Sequence, residues 1–231
     1  MTEILPTRDG SYTLKSSRFD ASYHSTHGAM TESRYVFLEA GLQFKYDKNR
    51  RENTHTERLN ILEIGVGTLL NAALAVDFAR IHSIKLSYIG VESEPPDSRI
   101  LQEYWDLHPP EMRPESWQEL IKMYPGFSDG QAQFLSGQRI QVHLVDVHRW
   151  TGPEQPADVV FFDAFSPEAQ PEIWEDRFLS SVVEWMRPGG CLVTYCVKGE
   201  VRRRFKALGC VAEKLPGPPG KREMLRVHKP K

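Results

Sequence analysis

No apolar run in the chain approaches the roughly 18 residues that would cross a bilayer, so no membrane partner is expected. The opening MTEILPTRDG lacks the basic-then-apolar layout of a secretion signal. Cysteine is scarce: Cys191, Cys196 and Cys210 form no CxxC pair and leave an odd number. Two of them sit in an apolar run, and buried inert thiols are the reading. A cytoplasmic location is expected. Internal repeats and low-complexity segments are also missing. There is no large excess of charge, since the net value is −2, which at first argues against a nucleic-acid partner. That average hides an asymmetry. From Lys198 to Lys231 eleven Lys or Arg face three Glu, a balance of +8 that leaves −10 for the rest. A basic segment on an acidic body can hold a polyanion locally, or it is a solvated helix face.

What is present is an alternation of short apolar strands and amphipathic helices. LNILEIG (59–65), IKLSYIGVE (84–92), RIQVHLVDV (139–147), ADVVFFD (157–163) and GCLVTYC read as strands. Between them TLLNAALAVDFARIH, EPPDSRILQEYWDL, PEIWEDRFLSSVVEWM and KGEVRRRFKALG read as helices, with an extra helix and loop over 109–137. CVAEKL and EMLRVHK close the sequence as an antiparallel pair. Ahead of all this, SYTLKSS suggests a short hairpin strand. THGAMTESRYVFLEAG suggests a helix ended by Gly41, and YDKNRRENTHTER a loop. Such alternation predicts an α/β fold: a mostly parallel sheet with helices on both faces. One domain over 57–231 with an extension over 1–56 is expected.

In open sheets of this kind ligands sit beyond the carboxyl ends of the strands. Gly65 and Gly67 in LEIGVGTLLN allow a tight turn and close backbone approach, but Leu70 occupies the third glycine position of a dinucleotide fingerprint. Four carboxylates fall at the ends of successive strands: Glu63, Glu92, Asp146 and Asp163. Glu92 suits a ribose, Asp146 an adenine amine and Glu63 an ammonium group. Each alone is more readily a capping or surface residue. Together they describe a crevice for a cationic adenosyl ligand, S-adenosylmethionine. His24 and His27, three apart, have no third ligand in reach, so no metal is expected. A lid carrying Tyr23, Glu32 and Arg34 is the alternative for that segment.

The order of elements, the E-x-G-x-G turn and the reversed terminal strand resemble a class I methyltransferase, with a Rossmann-like seven-stranded sheet. Four blocks, FDASYHSTHGAMTESRYVFLEAG, GVGTLLN, DAFSPEAQPEIW and GKREML, more specifically resemble the methyltransferase domain of the MnmC family of tRNA-modifying enzymes. They spread from Phe19 to Leu225. The resemblance implies methylation of the primary amine of 5-aminomethyl-2-thiouridine at the tRNA wobble position, giving 5-methylaminomethyl-2-thiouridine. It implies cofactor or catalytic roles for Gly65, Gly67, Glu92, Asp146 and Asp163. Asn71, Tyr23, Glu32 and Glu63 complete the expected cofactor set. The sequence departs from the family pattern at Leu69, Ala164, Ser166 and Ala169. The family's flavin-dependent oxidase domain has no counterpart in these residues, so no FAD is expected, and a separate enzyme would supply the aminomethyl group.

Asp163 and Phe165 are the expected catalytic pair, the acid to accept an N–H of the amine and the ring to stack on the extruded base. Plain core packing is the alternative for Phe165 and Trp174. Lys198, Arg202, Arg203, Arg204, Lys221 and Arg222 are expected to meet tRNA phosphates. Rival readings are a polyamine aminopropyltransferase, a small-molecule amine methyltransferase and a non-catalytic nucleotide- or tRNA-binding module.

Overall fold

In the computed structural model, residues 2–54 and 58–231 are described. The boundary expected between residues 56 and 57 falls outside them. The first strands are short and half-polar. Glu3–Pro6 (β1), Tyr12–Ser16 (β2) and Ala21–Ser22 (β3) form a small antiparallel sheet in that order. Asp9, in the turn after β1, fastens this sheet to the next helix. Its carboxylate accepts from Thr7, from the amide and hydroxyl of Ser11, and from the amide and hydroxyl of Thr31. Burial opposes the charge, but these donors hold Asp9 well below the usual carboxylate range.

The helix expected to end at Gly41 does not end there. Ala29–Glu32 (α1), a π-helical stretch Ser33–Gln43 and Phe44–Arg51 (α2) run on without a break in helical backbone. Gly41 is a contact point instead of a stop signal. A Cβ there would stand 2.9 Å from Val193 and 3.1 Å from Phe161, so the missing side chain lets the helix lie against the sheet. Half of the stretch read as a charged loop is therefore helix.

The large sheet is built from Arg58–Ile64 (β4), Lys85–Glu92 (β5), Gln133–Leu135 (β6), Gln138–Leu144 (β7), Ala157–Phe162 (β8), Met186–Thr194 (β9), Val211–Pro216 (β10) and Glu223–His228 (β11). Its order is β10-β11-β9-β8-β4-β5-β7-β6. The five inner strands, β9 to β7, are parallel, and β11 runs antiparallel to both β9 and β10. The seven expected strands are all present. The eighth, β6, pairs antiparallel with β7 inside the segment read as helix and loop; at three residues, it is too short to show a period.

Leu70–Ile81 (α3), Ser98–Leu107 (α4), Trp117–Met123 (α5), Asp176–Trp185 (α6) and Gly199–Ala207 (α7) supply the remaining helices. Strand β8 shows why both faces must be covered: every residue in it is buried. Val159 and Phe161 join one apolar cluster with Phe37, Leu42 and Tyr88, while Val160 and Phe162 join the other with Trp174, Phe178 and Phe205. Each large apolar side chain so buried contributes about 1.5–3 kcal/mol. Cys191, Cys196 and Cys210 are free and buried. Among the described residues no helix is long and apolar enough to cross a membrane.

Candidate active site

The chain leaves β4 toward β5 on one side and reaches β8 on the other, so the sheet's switch point lies at the carboxyl end of β4. A cleft opens there, with ≈ 580 Å³ of empty space counted out to its mouth. Gly65, Val66 and Gly67 form its floor, Glu92 and Ser93 one wall, Asp163–Phe165 the opposite wall, and Phe19, Tyr23 and His24 the roof.

The turn after β4 is dictated by space. Gly65 has φ 86°, and a Cβ on it would stand 2.7 Å from the Asp163 carbonyl oxygen; on Gly67 it would meet the Tyr23 ring at 2.7 Å. Leu69, at the position where the family pattern has glycine, adopts φ 64° at the N-cap of α3 with its side chain wholly buried. The left-handed backbone costs about 1–2 kcal/mol, which burying a leucine offsets.

Three of the four strand-end acids converge. Glu63 is fully buried and accepts from Tyr88 and, at 2.7 Å, from Asn71 Nδ2. The same Asn71 nitrogen donates to Asp163 Oδ2 at 2.9 Å, so one amide holds two carboxyl groups together. Glu92 accepts from the amides of Gly67 (2.9 Å) and Glu94 (2.8 Å), which fixes the glycine turn against β5. Asp146 does not join them. Its side chain is exposed and accepts from the His148 amide, capping the turn Val147–Arg149, and Val147 lines the cleft in its place.

Burial pushes the Glu63 carboxyl up to about 8, with the charge of Glu92 adding to the shift against hydrogen bonds from Tyr88 and Asn71. Burial, then the neighbouring Glu63 and Glu32, also push Asp163 well above the carboxylate range. Glu92 moves up by burial as well. The site thus concentrates acids whose ionisation burial opposes, with Lys221 acting against the shift at Asp163. A pH dependence of stability follows. An unfolded glutamate ionises near 4.5 and the folded Glu63 near 8, so between these values the folded chain binds more protons and stability falls as pH rises. Thermal melts of the ligand-free protein are expected to drop by several degrees from pH 5 to pH 8, with a shallower drop in Glu63→Gln. Equal slopes would contradict the buried-acid account.

The roof comes from the N-terminal sheet. Tyr23 donates to the Glu94 carbonyl at 3.4 Å and Arg18 pairs with the Glu94 carboxylate. Phe165 does not stand free: its ring lies 4.7 Å from Phe19 and 5.2 Å from Tyr23, centroid to centroid, while still lining the cleft. Trp174 packs in the core and donates to the Phe165 carbonyl at 2.8 Å. Glu32 lies behind the roof, accepting from the Ser25 amide (3.0 Å) and from Lys221 Nζ (2.6 Å). Arg34 is exposed. His24, which the sequence offered only as half of a weak metal pattern, lines the cleft with its Nε2 4.0 Å from Asp163 Oδ2. Among the described residues no cluster of His, Cys, Asp or Glu suited to a metal is present.

The six basic residues divide. Arg203 and Arg222 are exposed. Lys198 pairs with Glu168, and Lys221 is held by Glu32 with its ammonium 4.1 Å above the Tyr195 ring. Arg204 is structural: it donates to the Trp174 carbonyl and pairs with Glu200 and Asp176, tying α7 to the loop before α6. Arg202 is half-buried. Lys198, Lys221 and Arg204 are thus engaged by acids, whereas Arg203 and Arg222 are exposed.

Comparison with known proteins agrees with this arrangement. A protein from Aromatoleum aromaticum called tRNA 5-methylaminomethyl-2-thiouridine biosynthesis bifunctional protein MnmC is 32% identical over 95% of this chain and 34% of its own length. The protein of the same name from Marinobacter nauticus is 33% identical over 91% of this chain and 34% of its own. The chain thus spans about a third of the length of the curated relatives it matches. The crystal structure of MnmC2 from Aquifex aeolicus superposes with a TM-score of 0.78 at 25% identity, covering all of this chain and 71% of that one. The sequence model of a family described as S-adenosyl-L-methionine-dependent methyltransferase matches residues 111–230, more than half of the chain. From strand order, glycine turn and sequence alike, the chain belongs to the S-adenosyl-L-methionine-dependent methyltransferase family.

Proposed function

We propose that this protein methylates the primary amine of 5-aminomethyl-2-thiouridine at the wobble position of tRNA, using S-adenosylmethionine. The observation that carries the proposal is the convergence of Asp163, Glu63 and Asn71 under an aromatic roof at the sheet's switch point. The relatives whose names specify 5-methylaminomethyl-2-thiouridine biosynthesis support the substrate.

The residues present fit the cofactor. Gly65 and Gly67 line the cleft with backbone instead of side chain, which lets a ligand approach the turn closely. Glu63, Glu92 and Asp163 are acids whose carboxyls burial pushes up, so a cationic ligand placed beside them would favour their charged forms. Asn71 Oδ1 is buried with no hydrogen-bond partner among the described residues. Glu92, Gly65, Gly67 and Asn71 would hold the adenosyl and amino-acid portions, and the bound sulfonium supplies an electrophilic methyl group.

The protein's own work is to present a nitrogen lone pair. An alkyl ammonium has a pKa of about 10, and freeing its lone pair at neutral pH costs roughly 4–5 kcal/mol. Asp163 accepts an N–H and fixes the direction of the remaining pair, while the Phe19–Tyr23–Phe165 ring cluster keeps water away. Arg203 and Arg222 provide positive charge for the polyanion, and the substrate arrives as a free aminomethyl group made by another enzyme.

The test is mass analysis of tRNA nucleosides after incubation with isotopically labelled S-adenosylmethionine. Transfer RNA carrying the aminomethyl wobble uridine is expected to gain one labelled methyl group, and tRNA lacking it none. Label appearing only on polyamines or free amines would replace this reading with a small-molecule one.

A further inference from the structure

Tyr88 stands in the middle of β5, wholly buried, and its hydroxyl donates to Glu63 Oε2. Glu63 Oε1 accepts from Asn71 Nδ2 at 2.7 Å, and the same nitrogen donates to Asp163 Oδ2 at 2.9 Å. Four side chains, from β5, β4, α3 and the loop after β8, thus form one connected network. Both oxygens of Glu63 accept, whereas on Asp163 only Oδ2 does among the described residues. The donors suit a charged Glu63. The position left for a proton is Asp163 Oδ1, on the acid that lines the cleft.

We propose that Glu63 and Asp163 hold one proton between them in the ligand-free protein, and that binding of S-adenosylmethionine expels it. The inference needs the cofactor but not the wobble substrate. Two carboxyl groups that share one amide nitrogen in a dry site resist carrying two charges. Glu63 is 0 % exposed and the Asp163 side chain 6 %. Burial holds both toward the neutral form, against the donors Tyr88 and Asn71. Tyr88, itself raised by burial, stays a neutral donor. The surrounding groups do not relieve the pair. Glu92, at the end of β5, adds negative charge at Glu63, and Glu32, of α1, adds it at Asp163. Lys221, from the loop between β10 and β11, opposes the shift at Asp163, but its ammonium is bound to Glu32. Burial keeps Tyr195, just after β9, uncharged, and likewise His24 of the roof, whose Nε2 lies 4.0 Å from Asp163 Oδ2.

A cation brought against Asp163 reverses the balance, because it favours the charged form. S-adenosylmethionine carries two positive groups at neutral pH, a sulfonium and an ammonium. The O–H bond of Asp163 breaks toward water at the cleft mouth, and its electron pair stays on the carboxylate. Asp163 then offers a charged acceptor, so the cofactor arms the acid before a second substrate arrives. Tyr88 is a positioning residue here, since it acts through Glu63.

The experiment measures affinity for S-adenosylmethionine by titration calorimetry from about pH 5.5 to 7, where the ligand's own amine stays protonated. Wild-type affinity is expected to rise about tenfold per pH unit, the mark of one proton released. In the double variant Glu63→Gln, Asp163→Asn, where amides of similar shape replace both acids, it should be flat. Flat wild-type affinity, or an equal slope in the double variant, overturns the inference. A second measurement needs no variant. In infrared difference spectra, a protonated carboxyl band of the wild type should vanish as S-adenosylmethionine binds. A band that persists also overturns it. Tyr88→Phe removes one donor to the Glu63 carboxylate, so the steep range should extend about one pH unit higher, with binding at pH 7 about three- to tenfold weaker. A profile identical to wild type removes Tyr88 from the network. A protein that methylates tRNA with pH-independent affinity for S-adenosylmethionine defeats this inference alone. One that shows the slope and methylates no tRNA nucleoside supports it and defeats the substrate reading.

Discussion

Asp163→Asn is expected to slow methyl transfer by roughly 10²–10⁴-fold with the melting temperature unchanged or raised. The two halves of this expectation have one cause. In the ligand-free protein the Asp163 carboxyl is buried beside Glu63 and held well above its ordinary range, so its charged form is disfavoured by the fold. An amide of the same shape removes that conflict, and its oxygen can still accept from Asn71 at the distance now seen, 2.9 Å. Stability therefore survives. What is lost is the negative charge that aims the amine and carries its proton. Binding of S-adenosylmethionine should weaken by less than tenfold, because Glu92, Gly65 and Gly67 remain. Single-turnover rates, differential scanning calorimetry and titration calorimetry on the one variant check all three. Activity within tenfold of wild type would remove Asp163 from the reaction.

Gly65→Ala is expected to damage fold and site together. The added methyl would sit 2.7 Å from the Asp163 carbonyl oxygen, a backbone atom that cannot swing aside, at a φ of 86° that L side chains resist. The backbone term is about 1–2 kcal/mol and the overpacking about 1–3 kcal/mol. For a chain of this size the sum lowers the melting temperature by about 5–15 °C. Because the obstructed atom belongs to the loop carrying Asp163, relief of the clash displaces the acid from Asn71. Affinity for S-adenosylmethionine should fall by at least about tenfold, and the rate with it. A variant that melts and binds like the wild type would mean that the turn after β4 is looser than its packing shows.

The sequence made the sheet legible because β4, β5 and β8 are short apolar runs closed by a glycine or an acid. Glu63, Glu92 and Asp163 could be found that way, since strand ends in a parallel sheet share one rim. The same rule placed Asp146 with them, but β7 ends at Leu144 and the two further residues carry that side chain out to solvent. Gly41 misled for a different reason. A glycine that stops a helix and one that lets a helix touch a sheet look alike until the partners, Val193 and Phe161, are known. Asn71 was named, but its bridging of two acids could not be foreseen, because Glu63 and Asp163 meet only through strand pairing. Tyr88 was invisible as a site residue, and His24 stood out only as half of a metal pattern. One sits in the middle of a strand that reads as core, and the other in a segment with no periodicity. Arg204 looked like part of a basic face until α6 and its preceding loop supplied the partners that occupy it.

Lys221 and Glu32, joined across 189 positions of sequence, fasten the loop between the last two strands to the helix behind the roof. During synthesis the glycine turn and its acids are all made before residue 170, but this clasp waits for the final hairpin. The contact between the segment behind the roof and the last hairpin is therefore among the last long-range contacts that synthesis permits.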